Sequence, residues 1–165
     1  MHHFKYFPQI EYDGRTAVNV LARAKVREMV LSNAVTYYMH VLNDGDRPDI
    51  VAHKYYGSSN HTWIVLYANN VKDPIFDWLL PYDQFLDYIG SKYGSVEYAQ
   101  QNIHHYENER GFVIDESTYN DIGVLGTAYS YYDYEFNLNE EKREIKIIDS
   151  RYKSVLISEL KKMFK

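Results

Sequence analysis

Cysteine is absent from this 165-residue chain, so neither a disulfide scaffold nor a thiolate metal site is open to it, which fits a protein made in a reducing cytosol. Long apolar runs are also lacking: none approaches the roughly 18–20 residues that a membrane-spanning helix needs. Positive charge is in deficit, with 18 Lys and Arg against 23 Asp and Glu and a formal charge of −5, where a nucleic-acid binder would carry a basic stripe. The start, Met1-His2-His3-Phe4-Lys5, lacks the basic and apolar regions of a secretory signal. Neither a nucleic acid nor a membrane is therefore expected as a partner. The length suits one domain, or one compact domain with long arms, and suffices for a real core.

Catalytic signatures are missing too. The sequence has no Gly-x-Ser-x-Gly elbow, no phosphate-cradling Gly-rich loop with Lys, and no His-Glu-x-x-His pair, so the expectation is a protein that is not an enzyme and takes no cofactor, metal or small-molecule substrate. His104-His105 is the tempting pair, but neighbours on a strand point to opposite faces and would not readily share one metal. His40, His53 and His61 lack ligand spacing. Asp44-Gly45-Asp46 hints at calcium, yet the twelfth position of an EF-hand loop counted from Asp44 is Tyr55 rather than Glu. A turn followed by a capped helix is the better reading. Asn60-His61-Thr62 matches a glycosylation sequon, for which helix capping is the simpler role without a secretory signal. Trp63 could stack on a sugar ring, but burial between helices suits it better.

What the chain has in abundance is rings: 18 Tyr, seven Phe and two Trp. Tyrosine combines a large apolar face with a polar tip, which suits surfaces that become half-buried against a partner. Residues 1–14 read as an extended arm that cannot bury Phe4, Tyr6 and Phe7 by itself. Ala17 to Leu31 has an approximately helical spacing. Val35 to Leu42 reads as a strand, Asn43 to Asp46 as a turn with Asp46 placed to cap a helix, and Pro48 to Gly57 as that helix. Ser59 or Asn60 can cap a second helix carrying Trp63, Leu66 and Tyr67, which Asn69-Asn70 would stop. After an irregular stretch holding Phe76 and Trp78, Tyr82 to Lys92 and Ser95 to Gln101 read as helices. Residues 103–136, with five tyrosines from Tyr119 to Tyr134, read as strands and loops, and Asn137 to Lys142 as a charged turn or short helix. Glu144 to Ile148 reads as a strand, leading into an amphipathic helix from Ser150 to Phe164.

The segment Tyr38-x-x-Val41-x-x-x-Gly45-Asp46-x-Pro48-x-x-Val51-Ala52-x-x-Tyr55-Tyr56-Gly57, with Trp63 and Asn69 after it, resembles a LysM module. It departs from that family where a closing Pro-Gly turn and second strand should follow, since Asp73-Pro74-Ile75-Phe76-Asp77-Trp78 and a helix stand there instead. That variant is similar to the small wedge protein of contractile-tailed phage baseplates. The Phe-x-x-Phe-Pro-x-Ile-x-Tyr start, Asp46-Arg47-Pro48, Tyr56-Gly57, Trp63, Asp73-Pro74 and the run Asn139 to Ile148 carry the resemblance. It implies a virion protein of the tail baseplate, assembled in the host cytoplasm, whose partners are other wedge proteins and neighbouring wedges of a sixfold assembly. Its expected work is structural: connecting adjacent wedges. The alternative is a carbohydrate-binding LysM module for N-acetylglucosamine polymers of peptidoglycan or chitin, against which the missing second strand, the single copy and the lack of a signal stand.

The expected fold is α+β: a degenerate LysM-like βαα core, an extended N-terminal arm, added helices, a β-rich and Tyr-rich second half, and a C-terminal amphipathic helix. Its parts would be residues 1–34 (arm and helix), 35–101 (the LysM-like module with its helical extension) and 102–165 (the β-rich region and last helix). Interface candidates are Phe4, Phe7 and Tyr12 in the arm, Trp78 in the irregular stretch, and Tyr131 and Tyr132 in the tyrosine cluster. Arg143, in the charged run, and Ile157 and Phe164, which widen the apolar stripe of the last helix beyond what one packing partner needs, complete the set.

Overall fold

The structure, a computed structural model, describes residues 7–19 and 36–163. Phe4, Phe164 and most of the expected helix from Ala17 to Leu31 lie outside the described residues. The chain divides into two compact units, one of Met1–Trp78 with Glu144–Lys165, the other of Leu79–Arg143. The expected boundary at 101/102 falls inside the second unit, because the first is completed by a strand from near the chain's end. Helix and strand are mixed throughout, as α+β implies.

In the first unit, β1 (Gln9–Tyr12) and β2 (Arg15–Val18) form an antiparallel hairpin, with Tyr12 opposite Arg15. Asp13 and Gly14 turn it, both at positive φ (50° and 66°), the conformation a two-residue hairpin loop requires. Ala17 and Val18 therefore belong to a strand and not to the start of a helix. β3 (Tyr37–Val41) follows, then α1 (Pro48–Tyr56) and α2 (Thr62–Ala68). Asp46 does not cap α1: its carboxylate accepts from the Asn43 backbone and side-chain amides and so closes the turn, while Pro48 opens the helix with its φ already set. Gly57, in the left-handed region, ends α1. Ser58, one residue ahead of the expected pair, caps a short 3-10 turn that leads into α2. Asn70 takes the left-handed stop (φ 53°).

The closing strand is β7 (Glu144–Ile148), which pairs antiparallel with β3 from Tyr37 opposite Ile148 to Val41 opposite Glu144. The sheet is thus closed by a strand that follows the other unit in sequence, and along the chain the first unit runs β3, α1, α2, β7. α2 packs on both α1 and β7. Leu42, Val51, Ile64, Val65, Ile147 and Ile148 are all but fully buried here, each contributing about 1.5–3 kcal/mol by transfer from water. Asn69, at the end of α2, receives the Lys146 N–H on its side-chain oxygen (2.7 Å) and donates its amide to the Lys146 carbonyl (2.9 Å). The Tyr56 hydroxyl donates to the Ile148 carbonyl (2.8 Å). After β7, a 3-10 turn capped by Asp149 leads to the last helix.

The second unit holds α3 (Tyr82–Tyr93), α4 (Val96–Gln101), β4 (Ile103–Asn108), β5 (Val113–Ile114), α5 (Glu116–Ile122), β6 (Gly126–Ser130) and α6 (Tyr131–Glu140); the sheet order is β5-β4-β6. Phe85, Ile89 and Ala99 centre its core. Residues 103–136 are not strands and loops alone, since α5 and α6 lie wholly or partly within them. The last helix, α7 (Lys153–Met163), belongs to the first unit, with Leu156 buried.

Replacing Asn69 by Ala removes both bonds to the Lys146 backbone and leaves those groups at a half-buried edge. The expected cost is about 1–3 kcal/mol in equilibrium urea unfolding. Asn70→Gly, at a positive φ that glycine adopts freely, is the comparison expected to stay within about 0.5 kcal/mol.

Candidate functional site

No group of three or more His, Cys, Asp or Glu able to hold a metal ion occurs among the described residues, and no described helix is long and apolar enough to cross a membrane. The surfaces that stand out are apolar. All eight residues of the β1–β2 hairpin are exposed, with Tyr12 at 74%. An isolated two-stranded hairpin is marginal in water, so a hairpin that buries neither face has little to hold it until something covers it. Met39 and Val41 on β3, and Ile75 and Phe76 after α2, are further exposed apolar side chains of the first unit. The second unit presents Phe112 and Val113 at its β4–β5 hairpin, with Tyr98 and Leu125 elsewhere on it.

The interior of the second unit uses polar groups as locks. Glu135, only 5% exposed, receives the Lys92 ammonium (2.7 Å) and the Tyr93 hydroxyl (2.8 Å) on one oxygen and the Tyr88 hydroxyl on the other (3.1 Å). Burial pushes the Glu135 carboxyl up, but the bonds from Lys92, Tyr93 and Tyr88 outweigh it and hold the group below its ordinary value. Burial and the Glu135 bond push the Tyr93 hydroxyl up to about 12. One helical turn on, Asn139 accepts the Leu80 N–H (2.9 Å) and donates to the Leu80 carbonyl (3.0 Å).

His104 and His105 sit in β4 as expected, but their relation is not the simple opposition of a regular strand. A register shift between Ile103 and His105 bends the strand there. It brings the two Nδ1 atoms within 2.8 Å of each other, while His105 Nε2 lies 3.0 Å from Glu107 Oε1. His104 stacks on Tyr134 (3.9 Å between ring centres) and His105 on Tyr129 (5.1 Å). The pair is thus engaged with its own unit's rings.

The expected interface residues are divided between the two units. Tyr12 is exposed on the hairpin, whereas Phe7 is buried. Trp78 is buried in the first unit, its indole N–H donating to the Asp46 carbonyl (2.7 Å). Tyr131 and Tyr132 are half-buried, the first 4.9 Å from Tyr93 and the second edge-on to Phe85 at 5.5 Å. Arg143 is paired with Glu140, its Nε 2.6 Å from one carboxylate oxygen. Ile157 is half-buried on α7. Sequence reasoning missed the Asn139 and Glu135 locks. It also missed the signal that starts their helix: Ser130-x-x-Asp133, a reciprocal capping box in which each side chain accepts from the other's backbone N–H.

Comparison with known proteins bears on what these surfaces serve. The family model described as "Base plate wedge protein 53" matches residues 3–133. The chain is also similar to the protein named "Baseplate wedge protein gp53" of Enterobacteria phage T4, with 27% identity over 140 residues, covering 79% of this chain and 68% of that protein.

The lock at Glu135 gives a pH signature. Its folded-state carboxyl titrates below the unfolded one, so its contribution is fully present above the unfolded range, about pH 4.3, and fades as pH falls through the lowered folded value. Thermal unfolding followed from pH 7 to pH 3 should therefore show an acid decline that Glu135→Gln flattens. At pH 7 the same substitution should cost about 1–3 kcal/mol through weakened bonds to Lys92, Tyr88 and Tyr93.

Proposed function

Since the chain belongs to the base plate wedge protein 53 family, and is thereby a structural component of a phage tail baseplate, we propose that it connects adjacent wedges during baseplate assembly. The single observation that carries the reading is that each of the two compact units exposes large apolar side chains of its own. A chain with one sticky unit can decorate a complex; a chain with two can hold two neighbours. Large aromatic and aliphatic side chains exposed around folded units are the anchors that stable interfaces bury. The hairpin around Tyr12 suits docking on a neighbour, since burial against a partner would supply the covered face it lacks. Other wedge proteins and the neighbouring wedge of a sixfold ring are the partners this reading names. Phe7, Trp78, Tyr131, Tyr132, Arg143 and Ile157 would then act mostly by shaping the units, with Tyr12 meeting the partner directly.

A test is complementation of a phage whose copy of the gene carries a nonsense codon. Baseplates should fail to close without the chain and recover with the wild-type sequence. The double substitution Ile10→Ser and Tyr12→Ser should cut incorporation into isolated baseplates about tenfold or more while leaving the circular dichroism of the free chain unchanged, as expected for two exposed anchors. Baseplates that close normally without the chain would remove the connector reading.

A second reading is favoured by one observation. The strand order β3, α1, α2, β7 supplies the closing strand whose absence spoke against a LysM-like glycan binder. On that reading the isolated full chain should be retained by insoluble peptidoglycan or chitin and released by soluble N-acetylglucosamine oligomers. Absence of saturable retention discards it.

A further inference from the structure

The β3–β7 sheet has two strands and therefore two outer edges, and among the described residues only one of them is closed. The Asp149 N–H bonds the Thr36 carbonyl (2.9 Å), which makes Thr36 and Asp149 a hydrogen-bonded pair. In an antiparallel ladder such pairs alternate with non-bonded ones, so Tyr38 with Ile147 and His40 with Ile145 are bonded. It follows that Tyr37, Met39 and Val41 on β3, and Lys146 and Ile148 on β7, turn their backbone groups outward. The seal on β7 agrees: Asn69 takes both groups of Lys146, and Tyr56 takes the carbonyl of Ile148. On the β3 side, the N–H and carbonyl groups of Tyr37, Met39 and Val41 have no hydrogen-bond partner among the described residues.

Edge strands in stable proteins are usually blunted by a charge, a proline or a bulge. β3 carries none of these: it reads Tyr-Tyr-Met-His-Val, pairs with β7 in unbroken register, and leaves Met39 and Val41 exposed at 47% and 61%. We propose that this edge accepts an extended strand donated by another protein of the baseplate, adding a third strand beside β3 through the backbone groups of Tyr37, Met39 and Val41. The chemistry of the donor follows from the edge. It is apolar at alternate positions along Met39 and Val41, and it bears Lys or Arg at the Val41 end, where Glu144 is exposed. A second copy of this chain is the poorer occupant, since β3 pairing with itself makes a closed two-fold contact that cannot be continued around a ring. The proposal rests on the connector reading, which supplies the neighbouring protein.

Amide hydrogen exchange of the full chain, free and within isolated baseplates, reads the edge directly. In the free chain Tyr38 and His40 should be protected while Tyr37, Met39 and Val41 exchange fast; in baseplates all five should be protected. Met39→Pro removes one outward N–H without touching a bond to β7, and Val41→Lys places a charge on the edge. Each should lower incorporation into baseplates about tenfold, the effect of losing roughly one such bond. If wild-type chain is incorporated but Tyr37, Met39 and Val41 stay unprotected, the edge proposal alone falls. If both variants assemble as wild type, it falls likewise. Wild-type chain that is never found in baseplates overturns the connector reading and this proposal together. Dimerisation of the free chain that Val41→Lys abolishes would assign the edge to a second copy and overturn the donated strand.

Discussion

Pairing of β3 with β7 is the constraint on which the first unit depends. Val51, Ile64 and Val65 can be buried only if a sheet covers the helices that carry them, and β3 by itself is one strand. The strand that completes the sheet lies far along the chain. Asn69 joins it to α2 across 77 residues, using one side-chain amide in place of a neighbouring strand: a donor to the carbonyl and an acceptor for the N–H of the same residue. Removing that side chain would leave two backbone groups at the edge with no partner, which is why a single polar residue counts for more here than its own burial suggests.

The distance between the paired strands raises a folding problem that the second unit solves internally. Closing a flexible loop of its length costs roughly 2 kcal/mol more than closing a hairpin-sized one. Within that unit, Asn139 near its end holds both backbone groups of Leu80 near its beginning. Once Leu79–Arg143 has folded, its two ends are tied to each other, and β7 is no longer at the end of a free loop. The same type of bond, an asparagine amide gripping one residue's N–H and carbonyl, therefore serves in both units: it seals an edge in one and ties the chain ends in the other.

The difference between these interactions and ordinary core packing explains what could be read from the residues alone. Helices with a turn signal at each end were legible: α1 between Pro48 and Gly57, and α3 running up to Gly94 with Phe85 and Ile89 inward. β3 and β7 were legible as strands, from their run of strand formers, although their pairing was not. Register between segments so far apart leaves no local trace in either. α6 was read as strand and loop up to residue 136, and from Asn137 as a charged turn or short helix, because hydrophobic periodicity was the guide and the face it buries carries Glu135 and Asn139. A helix that packs through satisfied polar groups is invisible to an apolar count; only the Ser130 and Asp133 capping box announced it. The hairpin at Asp13-Gly14 was missed for the opposite reason: Ala17 and Val18 fit a helical spacing as well as a strand, and only the turn decides between them. Of the interface candidates, Tyr12 was legible as an exposed ring because the residues around it alternate without a core to face. The roles of Trp78 and Tyr131 depend on partners, Asp46 and Tyr93, that their own neighbourhoods in the sequence do not name.

Polar locks inside and apolar side chains outside are two consequences of one requirement. A structural subunit of a baseplate must keep its fold before its neighbours arrive and still offer them apolar surface to bury. If the interior were stabilised only by apolar burial, the exposed Tyr12, Met39, Phe76 and Phe112 would compete for the same interior, and collapse onto the wrong face would be cheap. Bonds such as Glu135 with Lys92 and Tyr93, or Asn69 with Lys146, are directional, so no other side chain can take their place without leaving a polar group unsatisfied. They fix which residues are inside. The apolar side chains left outside are then available to a partner.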